Sequence, residues 1–306
     1  MIRSVLAALL GPADRLLARA VGGGFGLKDL FTIVNLVGGV ASICFAIQGN
    51  LWWASFAVML GYLGDVFDGP VARLTGRMNR FGHELDNIAD HTAQCVAPAF
   101  VVYLAYRDFS IGLAFALAAL LIVAGSIRHA RGAVASFGFK LAWNGMPRPV
   151  AAFLTISFLN SHLFTHVSFG RYVGIGLVVA VALLNLIPLP FMNHHGRRLQ
   201  RWVVVLVVFW FVSAALVVIV WTAYFWDVLF VWTALYAGGS WVPMTRQERR
   251  DFFAAARRWR KALADEAASG EAEADEAGPR QAETDAADAT PQRSDLPEIP
   301  EPGEGR

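Results

Sequence analysis

The sequence predicts an all-α integral membrane protein of about eight transmembrane helices. Three observations predict it. Of 306 residues, 56% are hydrophobic and 16% charged, against about 45–50% apolar and about 25% charged in a typical soluble domain. The apolar excess falls in blocks of about twenty residues, the length with which a helix crosses a bilayer. The basic residues also alternate from loop to loop, as a membrane topology requires.

The elements follow in chain order. The apolar run Ser4–Leu10 is short and soon meets Asp14 and Arg15, unlike a signal peptide. Ile2, Val5, Leu6, Leu9, Leu10, Leu16 and Leu17 recur at helical spacing. Residues 1–28 therefore predict an amphipathic helix lying in the membrane interface, ended by Gly22–Gly24. Apolar stretches come next at 30–47, 51–72, 82–106, 109–130, 147–164, 172–190, 202–220 and 224–242. Backbone groups in hydrocarbon must bond internally, so all eight are expected as helices, together forming a membrane domain over 29–243. Residues 244–263 predict a basic juxtamembrane helix carrying Phe252, Phe253 and Trp259. Residues 264–306 are rich in Ala, Glu, Asp and Pro and lack aromatics. Such a segment cannot bury a core, and it is expected as a disordered acidic tail.

Charge gives the sidedness. Residues 264–306 hold 13 acidic residues against three arginines, while residues 1–263 hold 23 basic against 11 acidic. The body is thus basic, as beside anionic lipid. With the N-terminus inside, eight spans put 24 of the 26 Lys and Arg on the inner side, and only Arg107 and Arg171 fall outside. Both termini are then cytoplasmic. Cys44 and Cys95 both lie in apolar spans, which excludes a disulfide scaffold and a cysteine zinc cluster. Most of the ten Trp fall near span ends, as interfacial belts do, so nucleic-acid binding is not expected.

Five of the body's acidic residues lie between positions 65 and 90, and Asp65, Asp68, Asp86 and Asp90 sit where membrane helices should be apolar. Intramembrane carboxylates are costly and usually functional. Asp65 and Asp68 are three apart and Asp86 and Asp90 four apart, so each pair shares a helix face. The polar loop Leu74–Phe81 folds the second span back beside the third, bringing both pairs to one cytoplasmic end. Four carboxylates converging there call for cations, and hard oxygen ligands favour Mg²⁺ or Mn²⁺, with Ca²⁺ a further choice. Two metals sharing the four groups suit phosphoryl-group chemistry. Gly69 and Gly82 lie on the same faces, and a small residue there admits a ligand or another backbone. Arg73 either snorkels or contacts a diphosphate. His83 and His91 flank the cluster without being needed in it, and His194 and His195 fall in a cytoplasmic loop. Gly170-x3-Gly174 suits packing against a second copy, as a homodimer, or within one chain.

In order these residues read Asp65-x2-Asp68-Gly69-x2-Ala72-Arg73-x8-Gly82-x3-Asp86-x3-Asp90. The run resembles the signature of the CDP-alcohol phosphatidyltransferases, with every fixed position filled. The resemblance implies transfer of a phosphatidyl group from a CDP-linked lipid, CDP-diacylglycerol, to an alcohol, with release of CMP. It implies that Asp65, Asp68 and Asp86 ligate two divalent metals and that Asp90 is both ligand and base. It also implies a CDP site lined by Gly69, Ala72, Arg73 and Gly82. Thr32-x2-Asn35, Arg80–Asp90, Val96–Ala99, Arg128-x-Ala130-Arg131 and Gly145–Ala152 are similar to the bacterial and archaeal phosphatidylserine synthase branch. Thr32 and Asn35 would then join the CDP site, and the protein would belong to the inner membrane of a prokaryote. Departures from that branch are Ala93-Gln94-Cys95, Asn87 and Lys28-Asp29, while Asp68-Gly69-Pro70 and Leu85-Asp86-Asn87 are similar to phosphatidylcholine synthases.

L-serine is the first choice of acceptor, with Arg128 and Arg131 placed to hold its carboxylate. Choline would want an aromatic cage, and only Phe67 and Phe81 adjoin the motif. Glycerol 3-phosphate or inositol phosphate would want more cations, which Lys140 and Arg148 keep open. A different class, a cation transporter with a carboxylate site, fits intramembrane aspartates, but transporter sites tend to lie at mid-membrane. A catalytically dead scaffold is disfavoured by the complete motif.

Overall fold

A computed structural model describes residues 2–21, 24–76, 79–193, 224–242 and 244–288. The chain forms two units, residues 1–256 and 257–306. Helices dominate the described residues. They are α1 (Ile2–Val21), α2 (Leu27–Ile47), α3 (Leu51–Thr75), α4 (Arg80–His91) and α5 (Ala97–Arg107), then α6 (Ile111–Val134), α7 (Arg148–Asn160), α8 (His162–His166), α9 (Gly170–Leu186), α10 (Phe225–Gly239) and α11 (Arg246–Asp288).

Among the described residues, α2 and α6 are long and apolar enough to cross a membrane. Only 28% of the most apolar stretch of either helix is buried. Val34, Val37 and Val40 of α2 and Phe115 and Val123 of α6 point outward, and hydrocarbon suits such faces. The core lies at the other side of these helices, where Val101, Tyr106, Leu117, Ile156, Phe158 and Val178 are buried together.

Glycines bring α2 and α3 together at the end that carries the acidic motif. A Cβ on Gly38 would come within 2.5 Å of the Gly61 Cα, and one on Gly64 would overlap the Phe31 carbonyl. Backbones that close set Asp65 and Asp68 beside Thr32 and Asn35. The start of α2 is fixed by its own first turn, where Asp29 Oδ2 accepts from Gly26 N (2.7 Å), and by Asp14 Oδ1, which accepts from Leu27 N (2.8 Å). At the C-terminal end of α3, beyond the two aspartates, Gly76 takes a left-handed conformation (φ 71°) that ends the helix. Asn79 then caps α4, accepting from Gly82 N (2.8 Å) while its Nδ2 donates to Gly24 O (2.5 Å).

Between α4 and α5 the helix widens into a π-turn over Thr92–Val96, directly after Asp90. Pro98 supplies a reason. It has no N–H to give the Gln94 carbonyl, and the wider turn is a local adjustment of the kind found at functional sites.

Five expectations are changed. The third stretch is α4, the π-turn and α5 in series, and the fifth breaks at Ser161, whose Oγ donates to Phe158 O (2.7 Å) and lies 3.4 Å from Phe164 N as the cap of α8. The fold is not purely helical. Strands β1 (Ala142–Asn144) and β2 (Pro190–Met192) pair antiparallel with Trp143 opposite Phe191; Pro188 stops the sixth stretch early, because the residue before a proline disfavours helix. The C-terminal segment is helical to Asp288 rather than disordered from 264. Ala, Glu, Gln and Arg are strong helix formers, and the lack of a core does not remove that local preference. The seventh stretch, 202–220, with His194 and His195, lies outside the described residues, as do 289–306.

The small-residue pair on α9 packs within the chain. A Cβ on Gly170 would overlap Leu163 O, and one on Gly174 would overlap the Tyr106 hydroxyl, which donates to Arg171 O (2.7 Å). In the first unit, Phe252 of α11 is fully buried against Phe137 and Phe139.

The α2–α3 contact can be tested by adding one methyl group. Gly64→Ala forces overlap with a backbone carbonyl, and overpacking typically costs about 1–3 kcal/mol. Its unfolding midpoint in detergent should fall by several degrees. Gly112→Ala, where a Cβ meets nothing within 4 Å, should leave the midpoint unchanged or raised. Equal midpoints for both variants would show that the helices are not in close contact.

Candidate active site

The helix pair α3–α4 converts the spacing of the acidic residues into a cluster. One oxygen from each of Asp65, Asp68 and Asp86 lies within 4.8 Å of the other two, and all three side chains are half-buried. Unit charges at that separation repel by about 3 kcal/mol per pair at an effective dielectric of about 20. A divalent cation would turn that repulsion into attraction. The donor set fits one: the ligands are hard oxygens, and Asp86 Oδ1 is buried with no hydrogen bond. Thr32 Oγ1 lies 3.4 Å from Asp68 Oδ2 and Gln94 Nε2 lies 3.4 Å from Asp65 Oδ2, both long contacts.

Asp90 differs from the other three. It is buried, and each oxygen has partners. Oδ1 accepts from Asn35 Nδ2 (3.0 Å) and Gln94 Nε2 (2.7 Å), and Oδ2 accepts from an Arg148 guanidinium nitrogen (2.9 Å). These donors come from α2, the π-turn and α7, so the carboxylate is fixed from three sides. The same arginine reaches His129 Nδ1 (3.3 Å) with its other terminal nitrogen.

The remaining residues singled out from the sequence fall into distinct places. Asn35 touches Asp90, and Thr32 faces Asp68. Ala72 is buried and Arg73 exposed. A Cβ on Gly69 would sit 3.3 Å from a terminal nitrogen of Arg73, so the guanidinium lies back over that turn. Gly82 serves a packing purpose. A Cβ there would overlap Lys28 Nζ and come within 2.5 Å of Asp29 Oδ1. Lys28 and Asp29 are themselves ion-paired at 2.5 Å. Arg128 and Arg131 do not reach the cluster: Arg128 donates to the Asn144 and Gly145 carbonyls (3.3 and 3.5 Å) and Arg131 to Leu186 O (3.2 Å). His83 is exposed, 3.5 Å from Asn87.

Gln94 is not among the residues expected at the site, and Arg148 is expected only as a cation open to a phosphate-bearing acceptor, not as a partner of Asp90. Gln94 had a signal, since a glutamine four residues after Asp90 in an apolar helix shares its face. For contact with Asp90, Arg148 has no signal in the sequence beyond its place at the start of a span, which topology alone explains. Its reach to a residue 58 positions earlier is a tertiary fact.

Comparison with known proteins bears on this geometry. The chain is 33% identical to the archaetidylserine synthase of Methanothermobacter thermautotrophicus, over 56% of this chain and 72% of that protein. It is 30% identical to the CDP-diacylglycerol–serine O-phosphatidyltransferase of Methanocaldococcus jannaschii, over 56% of this chain and 76% of that one. A crystal structure of Mycobacterium tuberculosis phosphatidylinositol phosphate synthase with CDP-DAG bound covers 58% of this chain and 89% of that chain, at 21% identity and a TM-score of 0.42. Residues 26–236, which contain all four aspartates, match the CDP-alcohol phosphatidyltransferase family, and the chain belongs to that family.

Proposed function

We propose that the protein transfers a phosphatidyl group from CDP-diacylglycerol to a small alcohol, with L-serine as the first acceptor, releasing CMP. The observation that carries the reading is the grouping of Asp65, Asp68 and Asp86 next to a separately held Asp90. The three-carboxylate set suits cations, and Asp90 joins it as a ligand while also serving as the base. The names of the relatives above support serine. Choline is the runner-up, because the chain is also 27% identical to the phosphatidylcholine synthase of Brucella melitensis, over half of that protein.

In this reading Asp65, Asp68 and Asp86, with Asp90, hold two divalent ions, Mg²⁺ or Mn²⁺. Bound metal supplies charge neutralisation to the diphosphate of the donor. Arg73 swings from Gly69 to the diphosphate, and Gly69, Ala72, Thr32 and Asn35 line the CDP side. Asp90 accepts the proton of the acceptor hydroxyl, whose oxygen attacks the lipid-side phosphorus as the bond from that phosphorus to CMP breaks. Asn35, Gln94 and Arg148 orient the Asp90 carboxylate for that transfer. The eight-span arrangement, with an interfacial α1 and with the site and both termini at the cytoplasmic face of a prokaryotic inner membrane, is supported by the distribution of Lys and Arg.

The reading is tested by CMP release from CDP-diacylglycerol with serine, choline, glycerol 3-phosphate and inositol offered separately. Serine should give the most product. If another alcohol reacts and serine gives no more than water does, serine is the wrong acceptor. If no alcohol supports CMP release in the presence of Mg²⁺ or Mn²⁺, the transferase reading fails altogether.

The two aspartate roles separate by mutation. Asp90→Asn keeps an oxygen for metal and cannot take the proton, so turnover should fall by about a hundredfold or more while binding of the CDP-lipid persists. Turnover near wild type would remove Asp90 as the base. Asp68→Ala should lose metal-dependent binding of the CDP-lipid, read by calorimetry. An unchanged affinity there would take Asp68 out of the ligand set.

A further inference from the structure

The two sides of α11 differ in chemistry. In the first unit Phe252 is fully buried, with its ring 5.2 Å from that of Phe137 and 5.8 Å from that of Phe139. Ala142 of β1 and Met244 are buried in the same cluster. Ala255 and Ala256, three and four residues after Phe252, are buried on the same side of the helix. This inner side therefore backs β1, from which Gly145–Pro147 leads into α7. The partner strand β2 is held from α10, where the Tyr236 hydroxyl donates to Met192 O (2.7 Å). The outer side carries Arg246, Arg250 and Phe253, all exposed. They are spaced four and three residues apart, which puts them on one face. The second unit opens with Arg257, Arg258, Arg260 and Lys261, which are exposed as well. Residues 246–261 thus hold seven Arg and Lys against only Glu248 and Asp251. Residues 240–245 alone separate α10 from α11, and there Trp241 and Val242 are exposed.

We propose that residues 246–261 dock on anionic phospholipid headgroups at the membrane surface beside the end of α10, and that docking steadies β1 through Phe252. The inference goes beyond the transferase reading and takes from the proposed topology only that α10 ends at a membrane surface. Charge complementarity carries it. A run of cations so close to a bilayer is drawn to anionic lipid, and each adds to the attraction. Guanidinium groups also grip phosphate oxygens in pairs. Phe253 stands exposed among the cations, and an aromatic ring so placed enters the boundary between headgroups and acyl chains. Trp241 and Val242 suit the same depth. The chain's own acidic run is poorly placed to cover these cations. From Asp265 on it continues the same helix to Asp288, rising by about 1.5 Å per residue away from them. An anionic surface repels that run, which sets the end of the docked segment near residue 264. The consequence for the fold is direct. Phe252 faces β1 from the opposite side of the docked turn, so a helix held on the lipid holds Phe137, Phe139 and Ala142 with it.

The experiment is amide hydrogen exchange on the full-length protein in lipid nanodiscs, one set of phosphatidylcholine alone and one with about a third phosphatidylglycerol. Amides of residues 246–261 should exchange about tenfold or more slowly in the anionic discs at low salt. The difference should vanish at about 1 M salt, where charges are screened within about 3 Å. Peptides covering residues 137–142 should gain protection in step. The triple variant Arg250→Gln, Arg257→Gln, Lys261→Gln changes only exposed side chains and should lose the difference between the discs, as should Phe253→Ser in part. Equal exchange in the two kinds of disc would overturn the proposal, and so would a triple variant that keeps the wild-type difference. Protection that is equal in both discs and lost on deletion of residues 264–306 would assign the face to the acidic tail and overturn lipid as its occupant. A response at 246–261 with none at 137–142 would overturn the steadying of β1. None of these readouts needs turnover, so failure of the transferase reading shows separately, in the acceptor assay.

Discussion

Mutual repulsion among three carboxylates held within 4.8 Å of one another is the constraint around which this end of the bundle is built. Left to themselves, charges so placed would drive α3 and α4 apart. They are kept together by packing that does not involve them. Glycines press α2 against α3, Asn79 ties α4 back to Gly24, and Gly82 lets α4 lie over the Lys28–Asp29 pair. The helices thus hold the site in shape, and the site returns little stability to them without a cation. Preorganisation of this kind is how a protein places charge where a reaction needs it.

The fourth aspartate obeys a different rule. Its three donors arrive from elements far apart in the chain, and the π-turn that follows it sets Gln94 toward both Asp90 and Asp65. One turn of helix therefore carries a residue held by neutral amides and an arginine, beside residues whose oxygens are still available. In the proposed reaction, these two carboxylate environments four residues apart would let Asp86 serve charge neutralisation and Asp90 serve proton transfer as well.

Much of this was legible in the sequence because it is local. Carboxylates three or four residues apart in an apolar run announce both a helix and a shared face, and the turn between Leu74 and Phe81 announces that the faces meet. Tertiary reach was not legible. Arg148 and Arg131 look alike as cations at span ends, yet one bonds Asp90 and the other a backbone carbonyl. Gly82 reads as a ligand-lining residue by position, while its neighbours are Lys28 and Asp29. The β1–β2 pair lies in segments too short for any periodicity to show. The continuation of the C-terminal helix from residue 264 to Asp288 is missed because composition there shows a missing core more plainly than helix propensity.

In the proposed function, the three clustered aspartates would hold divalent metal, and that metal would neutralise the donor's diphosphate. Titration of the purified, metal-free protein with Mn²⁺, with and without CDP-diacylglycerol, tests this most directly. The account predicts saturable binding that tightens by tenfold or more when the CDP-lipid is present, reaching two ions per chain. Binding that does not saturate, or that is indifferent to the CDP-lipid, would contradict it.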